Sequence, residues 1–256
     1  MAAPRSLARS ASPSVSYGPF RQIEAVPWLL LAATMRMLAY GGGWIAWPAI
    51  VVANVALLLA FVIVAWRRVL ASEGRSELGR MEFSRQLGMT RHVLMPIFGL
   101  LIATTIAAQA SGLFAQPQEF MLGFDGVAFD QRTHVGRLWS AFIAAVVLLM
   151  VLQVEESEKP SLMRALREFG RRIGWLLPGV LLLAAISILI APVQAWFRSW
   201  IRDVWLGQGA PNGLKALLSL SYVVIFATIR LWLTVAVLVF ALRQSYRAGQ
   251  TADAGR

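Results

Sequence analysis

The sequence contains no cysteine and only two histidines, His92 and His134. The absence of cysteine excludes disulfide bonds, iron–sulfur clusters and thiolate-bound metals, and two histidines are too few for a metal site made of histidine alone. Charged residues are scarce as well, at 14% of the chain, against about 25% in an average soluble domain. Apolar residues reach 58% of the 256 residues, more than a soluble domain of this length can bury. The composition therefore predicts a membrane-embedded protein.

Long uncharged runs mark the membrane spans, because a helix needs roughly 20 apolar residues to cross the hydrocarbon. The predicted spans are residues 25–40, 44–66, 93–115, 138–154, 173–195 and 216–242. The first is short, and three consecutive glycines at 41–43 predict a tight turn after it. We therefore expect an all-α transmembrane fold, a six-helix bundle of three helical hairpins over residues 25–243. A disordered cytoplasmic tail at 1–24 and a second cytoplasmic tail at 244–256 flank it.

Positive charge is distributed unevenly about these spans. With the N-terminus inside, 17 of the 24 Lys and Arg residues lie in the inner segments and five lie in the outer loops. The other two, Arg36 and Arg230, lie within spans. Because Lys and Arg collect in cytoplasmic loops, we expect both termini in the cytoplasm. The net charge of +11 then reflects membrane topology, and no nucleic-acid partner is expected.

Two segments of the chain predict an internal repeat. Residues 85–88 read Arg-Gln-Leu-Gly, and Pro96 follows eight positions after the glycine. Residues 167–170 read Arg-Glu-Phe-Gly, and Pro178 follows at the same spacing, 82 residues further on. The fourth predicted span, shifted by 82, falls inside the last. The last two hairpins are thus predicted to be parallel copies about an axis along the membrane normal, each entered through an amphipathic juxtamembrane elbow.

The second of these elbows has a clear amphipathic pattern. Its apolar side chains are Leu162, Leu166, Phe169 and Ile173, and its basic ones are Arg164, Arg167 and Arg171. A helix of this kind is typical of the membrane interface, with its arginines toward anionic headgroups. Two interpretations remain open: a structural elbow that anchors the hairpin, or specific recognition of an anionic phospholipid. Residues 195–206 carry several aromatic side chains and predict a short helix on the outer leaflet.

Residues 66–74 read Trp-Arg-Arg-Val-Leu-Ala-Ser-Glu-Gly and close the second span, and residues 245–247 read Ser-Tyr-Arg. With the two elbow–hairpin units between them, they resemble the uncharacterised six-helix bacterial inner-membrane proteins related to the membrane domain found beside some glycerophosphodiester phosphodiesterases. Those proteins usually show a Trp-His-Arg-like start and a Gly-Glu end to the same loop. Here Arg67 replaces the histidine, and Glu73 precedes Gly74. The resemblance covers about residues 20–247 and implies the fold and a bacterial inner-membrane location, without catalytic residues.

Arg230, near the middle of the last span, is the most informative single residue. A charge there costs roughly 2.5–3.5 kcal/mol on insertion scales, so its side chain must face protein or water. Ser219 and Thr234 share its helical face and complete a candidate intramembrane polar site. Either Arg230 contacts an anion or headgroup in a cavity, or helix-end carbonyls or hydroxyls such as Thr104 and Ser187 satisfy it. Arg36, near the glycine turn, is expected to extend to the outer surface.

The outer loop carries Asp125, Asp130 and His134. A metal or hydrolase site there is conceivable, but a solvated loop explains these residues well. Since no catalytic triad, zinc spacing or phosphate-binding glycine loop is present, we expect no cofactor, no metal and no enzymatic activity. The leading hypothesis is a partner subunit or helper in lipid or envelope handling, with the bilayer and a membrane protein as partners. The alternatives are a small transporter or channel with a cavity near Arg230, and a membrane-embedded lipid-modifying enzyme.

Overall fold

The structure is a computed structural model that describes residues 23–40, 42–72, 83–131, 133–155, 160–206 and 211–254. This part of the chain is 88% helix and contains no strand, which confirms the all-α prediction. Its eight α-helices are α1 (Val26–Tyr40), α2 (Ala46–Ser72), α3 (Phe83–Ser111), α4 (Gln118–Met121), α5 (His134–Glu155), α6 (Leu162–Arg171), α7 (Ile173–Leu206) and α8 (Asn212–Ala254). Short 3-10 turns occur at Ile23–Ala25 and Asp125–Val127.

Five of these helices, α2, α3, α5, α7 and α8, are long and apolar enough to cross a membrane. The helix α1 has 15 residues, a length of about 22 Å at 1.5 Å per residue. It is therefore shorter than a hydrocarbon core of about 30 Å. Each predicted span overlaps one of these six helices. The bounds differ at α3, where the predicted first elbow is the beginning of the helix itself rather than a separate segment.

Glycines end two of the helices. Gly42 and Gly43, between α1 and α2, both have φ of 74°, and Gly112, directly after α3, has φ of 64°. L side chains rarely adopt this left-handed region, so glycine is the residue that allows the chain to turn there. Gly41 lies outside the described residues. The tight turn expected after the first helix is thus built by the second and third glycines of the run.

The helices α2 and α5 form the centre of the bundle. Residues 57–65 of α2 and residues 143–152 of α5 are buried without interruption, as expected for helices that are apolar on all sides. In contrast, α3, α7 and α8 expose large apolar side chains such as Ile106, Leu189 and Leu217. Side chains of this kind are suited to contact with lipid tails. The core therefore lies around α2 and α5, and the other long helices surround it.

The helices α7 and α8 form an antiparallel hairpin. Near its base, a Cβ placed on Gly179 would lie 3.0 Å from the Cβ of Ala241. Near its tip, Nε1 of Trp205 donates to Oγ of Ser219 at 2.8 Å. The predicted separate helix over residues 195–206 is wrong, because α7 continues without a break through Pro192 to Leu206. Its 34 residues extend about 51 Å at 1.5 Å per residue.

The elbow helix α6 runs back along α5. At its start, the backbone N–H of Ser161 donates to Oε1 of Gln153 at 2.8 Å. At its end, the rings of Phe169 and Phe142 meet edge to face at 5.1 Å. Because Gln153 and Phe142 are eleven positions apart on α5, or about 16 Å, α6 lies alongside α5. Ala165 and Phe169 on its inner face are buried, whereas Ile173, predicted on the same face, begins α7 and is half exposed.

The segment between α3 and α5, residues 112–133, folds into the bundle; we call it the connecting segment. Phe124, Val127 and Ala128 are buried there, and the ring of Phe124 meets that of Phe61 edge to face at 5.6 Å. On its other side, Nε1 of Trp139 donates to the carbonyl oxygen of Phe120 at 3.0 Å. The prediction of a solvated loop here is wrong, since the apolar side chains of the segment draw its backbone and its acidic residues into the protein.

The two predicted tails lie partly outside the described residues. Residues 1–22 and 255–256 are not described, and neither are Glu73 and Gly74 of the loop after α2. Glu24, the last residue of the predicted N-terminal tail, lies in the first 3-10 turn and accepts a hydrogen bond of 2.6 Å from Arg67 of α2. At the other end, α8 continues into the predicted tail as far as Ala254.

Candidate functional site

Arg230 of α8 lies inside the protein, where its side chain is 4% exposed. Its Nη2 donates to Oε1 of Gln194 on α7 at 2.5 Å and to Oδ1 of Asp130 in the connecting segment at 3.1 Å. The hydroxyls predicted as structural partners do not bind it: Thr104 instead donates to the carbonyl of Leu100 in its own helix. An amide and a carboxylate therefore compensate the charge of Arg230.

Asp130 is shared by two arginines. Besides Arg230, Nη2 of Arg137 on α5 lies 3.6 Å from its Oδ1. Nε of Arg137 also donates to the carbonyl of Gln131 at 3.1 Å, and Nε2 of Gln131 donates to the carbonyl of Leu122 at 2.8 Å. These contacts hold the connecting segment between the beginning of α5 and the middle of α8.

A second ion pair joins α1 to the connecting segment. Nη1 of Arg36 lies 2.9 Å from Oδ2 of Asp125, whose side chain is 1% exposed, and the guanidinium is 5.7 Å from the centre of the Phe129 ring. The expectation that Arg36 extends to the outer surface is therefore wrong, because a buried carboxylate binds it inside. Burial raises the pKa of Asp125 to about 6, although the positive charge of Arg36 acts in the opposite direction.

A cleft of about 480 Å³ lies between α1, the connecting segment, α7 and α8; we call it the amphipathic cleft. Its polar lining consists of Arg36, Asp130, Gln194, Arg198, Ser219 and Tyr222. Its apolar lining consists of Met37, Ala128, Phe129, Ile201, Val223 and Phe226. Tyr222 donates its hydroxyl hydrogen to the carbonyl of Gln194 at 3.2 Å, so the polar side is braced between α7 and α8. Both partners of Arg230 thus belong to the wall of this cleft.

A smaller cavity, of about 20 Å³, borders Arg230 and Thr234 together with the hydroxyls of Ser140 and Ser187. It has room for about one water molecule. Arg230 and Thr234, two members of the predicted intramembrane polar site, therefore share this cavity. The third member, Ser219, lines the amphipathic cleft instead, where its hydroxyl accepts the hydrogen bond from Trp205. Spacing along one helix face placed the three in line but did not determine which cavity each one borders.

The three arginines predicted to contact anionic lipid, Arg164, Arg167 and Arg171, are all exposed on α6. Arg171 lies 3.8 Å from the carboxylate of Glu168. In the structure these side chains belong to α6, whereas the amphipathic cleft is lined by α1, the connecting segment, α7 and α8. The basic face of the elbow and the cleft are therefore two separate features of the molecule.

Arg172, directly after α6, contacts residues of α6 and α8 and was not singled out from the sequence. Its Nε donates to Oε1 of Glu168 at 2.5 Å, and its Nη1 donates to Oγ of Ser245 at 2.7 Å. Its guanidinium also lies 3.7 Å from the centre of the Tyr246 ring. The spacing of four positions from Glu168 was the available signal. Arg172 ties the junction of α6 and α7 to the last turns of α8.

Gln194 is the second residue that sequence reasoning missed. It lies in the last turn of a predicted span, and the residue is only 3% exposed. A polar amide within an apolar helix usually faces another polar group, and this was the signal that could have paired it with Arg230. Gln194 positions the guanidinium toward the wall of the amphipathic cleft.

The acidic residues considered for a metal or hydrolase site are engaged with arginines. Asp125 pairs with Arg36, and Asp130 pairs with Arg137 and Arg230. Within the described ranges, no three His, Asp or Glu side chains come together in a way that would hold a metal ion. The connecting segment therefore presents these carboxylates as counter-ions of guanidinium groups.

No protein-family profile, curated protein or solved structure matches this chain.

Proposed function

We propose that this chain is a multi-pass membrane protein without enzymatic activity that acts as a helper or partner subunit in lipid or envelope handling. In this proposal, the amphipathic cleft holds part of a lipid molecule. The observation that carries the proposal is the division of the cleft into a polar side, with Arg198 and Gln194, and an apolar side, with Phe129 and Phe226. Its volume of about 480 Å³ lies within the range of about 300–1,000 Å³ that is typical of ligand sites.

The surroundings of the cleft suit an entry of lipid from the membrane. The helices that form two of its sides, α7 and α8, expose large apolar side chains next to it, among them Val193, Trp196 and Ile225. A lipid in contact with these helices would reach the cleft without passing through water. An amphipathic molecule from the bilayer is therefore favoured over a small polar metabolite.

We propose further that six helices, including the short α1, cross a bacterial inner membrane with both termini in the cytoplasm. The distribution of Lys and Arg supports this orientation. It places the amphipathic cleft toward the outer side, because the cleft borders the connecting segment and the end of α1. Fusion of a topology reporter to the C-terminus tests the orientation: the proposal expects a cytoplasmic signal, and an external signal would overturn it.

The 82-residue repeat also belongs to this proposal. In three pairs of positions related by this shift, both residues are buried: Leu101 and Leu183, Ala145 and Ala227, and Leu149 and Leu231. These pairs support the proposed repeat, whereas other pairs related by the same shift, such as Val93 and Trp175, differ in burial. The two units differ at the elbow, since the first enters its span as one helix, α3, whereas the second is divided into α6 and α7.

We also propose a relationship to the six-helix membrane domains that the sequence resembles. Residues of the resembling segments contact other parts of the structure: Arg67 binds Glu24, and Ser245 and Tyr246 both contact Arg172. These contacts support a structural role for the segments. They are consistent with a family likeness that concerns the fold rather than a reaction.

Native mass spectrometry of the detergent-purified protein tests the lipid proposal. We expect retained lipid in the wild-type protein and a loss of that lipid in Val223→Trp, because the larger side chain fills the cleft. Leu217→Trp is the control, since Leu217 lies on the same helix, does not line the cleft and is 60% exposed. The proposal fails if the wild-type protein retains no lipid, or if both variants retain it equally.

A small transporter or channel is the second candidate, and the position of Arg230 favours it. Arg230 borders the small cavity, while its partners Gln194 and Asp130 border the amphipathic cleft. The contacts of Arg230 therefore connect the lining of one cavity with the lining of the other, and a gate would need such a position. Anion flux into proteoliposomes that contain the wild-type protein, and a change of that flux in Arg230→Leu, would support this candidate; equal flux in protein-free vesicles would exclude it.

A further inference from the structure

We infer that the amphipathic cleft selects a lipid with an anionic phosphate headgroup, bound between Arg198 of α7 and Arg36 of α1. The acyl part of the lipid then lies along Phe129 and Phe226. This inference rests on the proposed lipid-binding function and names the class of lipid. It places headgroup recognition in the cleft rather than on the basic face of α6.

The charges around the cleft do not cancel. Two arginines line it directly, Arg36 and Arg198, and two more, Arg137 and Arg230, bind the carboxylate of Asp130 in its wall. Against these four guanidinium groups stand two carboxylates, those of Asp130 and Asp125. The cleft thus carries a formal excess of two positive charges. Such an excess favours an anion over a neutral or zwitterionic headgroup.

Arg198 is the arginine of the cleft that is available to bind an anion. Its side chain lines the cleft and forms no ion pair with any carboxylate of the described residues. Arg36, by comparison, already binds Asp125. A guanidinium presents donors in a planar fork that matches two oxygens of a phosphate group. Arg198 is therefore the primary headgroup contact, and Arg36 supplies a second positive charge from α1.

The arrangement of polar and apolar groups fits a lipid headgroup better than a free anion. Phe129 lies directly beside Arg36, 5.7 Å from its guanidinium, and Phe226 packs against Tyr222 with ring centres 4.9 Å apart. Apolar surface therefore continues from the charged groups along α8. A free phosphate would leave this surface in contact with water, whereas an acyl chain would cover it.

The arginines on α6 are less suited to selection. Arg164 and Arg167 are exposed, as Arg198 is, but they do not line a cleft that also holds a second arginine and an apolar wall. Charges in such a position attract anionic membranes in general and are screened by salt. Selection of one headgroup class is better explained by the cleft, where several guanidinium groups surround the same volume.

The test compares Arg198→Gln with Arg202→Gln. Both residues are exposed on α7 one turn apart, but only Arg198 lines the cleft, so the control removes the same charge from the same helix. Each protein is placed in nanodiscs of phosphatidylcholine with a minor fraction of phosphatidylglycerol, extracted in detergent, and weighed by native mass spectrometry. We expect wild type and Arg202→Gln to retain phosphatidylglycerol preferentially. In Arg198→Gln, the preference for phosphatidylglycerol over phosphatidylcholine should fall about tenfold, which corresponds to about 1.4 kcal/mol.

A second arm separates the lipid headgroup from free phosphate. Inorganic phosphate is titrated into the wild-type protein that carries phosphatidylglycerol. We expect no displacement at concentrations of phosphate that saturate ordinary anion sites, because the acyl contacts hold the lipid. Full displacement would show that the site takes a free anion and would overturn the lipid assignment.

The remaining outcomes separate this inference from the proposed function. Equal retention of both lipids, with loss of both in Val223→Trp, would overturn headgroup selection and leave lipid binding intact. If Arg198→Gln and Arg202→Gln reduce the preference for phosphatidylglycerol to the same extent, the preference is a general effect of surface charge. That result would also overturn headgroup selection. Retention of no lipid at all would remove the proposed function together with the inference.

Discussion

Arg230 and Asp130 are one hundred positions apart in the sequence, yet Nη2 of the arginine lies 3.1 Å from Oδ1 of the aspartate. This contact joins the middle of α8 to the connecting segment. With Gln194, it compensates the one guanidinium that lies deep in the last span. The wall of the amphipathic cleft is therefore held together by residues from three separate parts of the chain.

The first prediction concerns this ion pair. Asp130→Ala removes a carboxylate that two arginines share and leaves Arg230 with only the amide of Gln194. Breaking a fully buried pair costs about 3–5 kcal/mol; because the Asp130 side chain is 24% exposed, we expect a cost of about 2 kcal/mol. Denaturant unfolding in detergent measures it. Asp203→Ala, which removes an exposed carboxylate on α7, is the control, and an equal effect of both variants would contradict the prediction.

The second prediction concerns pH. Burial raises the pKa of Asp125 from 3.8 to about 6, so protonation of this carboxyl favours the folded state. Its contribution to stability is complete below about pH 4 and is lost as the pH rises through about 6. Asp125→Asn abolishes this titration. The melting temperature of the variant, minus that of the wild type, should therefore increase between about pH 4.5 and about pH 7.

Arg36 is the charged group that faces Asp125 from α1, and Asp125→Asn leaves it in place. The comparison therefore isolates the carboxyl group. Asp203→Asn, at an exposed position, serves as the reference and should show no such trend. A difference that stays constant or decreases between these two pH values would show that Asp125 is ionised throughout.

The third prediction concerns the fit of the connecting segment against α5. A Cβ at Gly126 would lie 2.3 Å from Oγ of Ser140, a distance that requires the segment or the helix to move. We expect Gly126→Ala to destabilise the protein by about 1–3 kcal/mol, as overpacking does. Gly99→Ala is the control, since nothing lies within 4 Å of its Cβ position. It should leave the melting temperature unchanged or raise it slightly.

The fourth prediction concerns the junction of α6 and α7. Arg172→Ala removes contacts with Glu168, Ser245 and Tyr246 at once. Hydrogen exchange should accelerate in α6 and in the last turns of α8, with a loss of about 1–2 kcal/mol of local stability. Arg167→Ala, on the exposed face of α6, should leave exchange in α8 unchanged. Acceleration confined to α6 in both variants would show that Arg172 does not hold α8.

The helices could be predicted from the sequence because long apolar runs depend only on local composition. The six predicted spans correspond to α1, α2, α3, α5, α7 and α8, and the glycine run marks the first turn. The extent of α7 could not be predicted in this way. Arg198, Arg202 and Asp203 interrupt the apolar run and suggest a boundary, but a helix tolerates charges on an exposed face, so α7 continues past them.

The connecting segment shows the limit of local patterns more clearly. Its aspartates suggested contact with water, yet Phe124, Val127 and Phe129 beside them are buried. The alternation of apolar and acidic residues was the signal that the segment enters the protein. The partners of the aspartates were not predictable, because Arg36 and Arg230 lie far from them in sequence and meet them only when the helices are packed.

The short helix α1 has a consequence for the bilayer itself. In the proposed six-span topology, its length of about 22 Å is less than a hydrocarbon layer of about 30 Å, so the leaflets next to it would become thinner or their headgroups would descend. Arg36 and Met37, near the end of this helix, border the amphipathic cleft. With that topology, the bilayer would be thinnest at the opening of the cleft, and a lipid headgroup there would lie closer to Arg198.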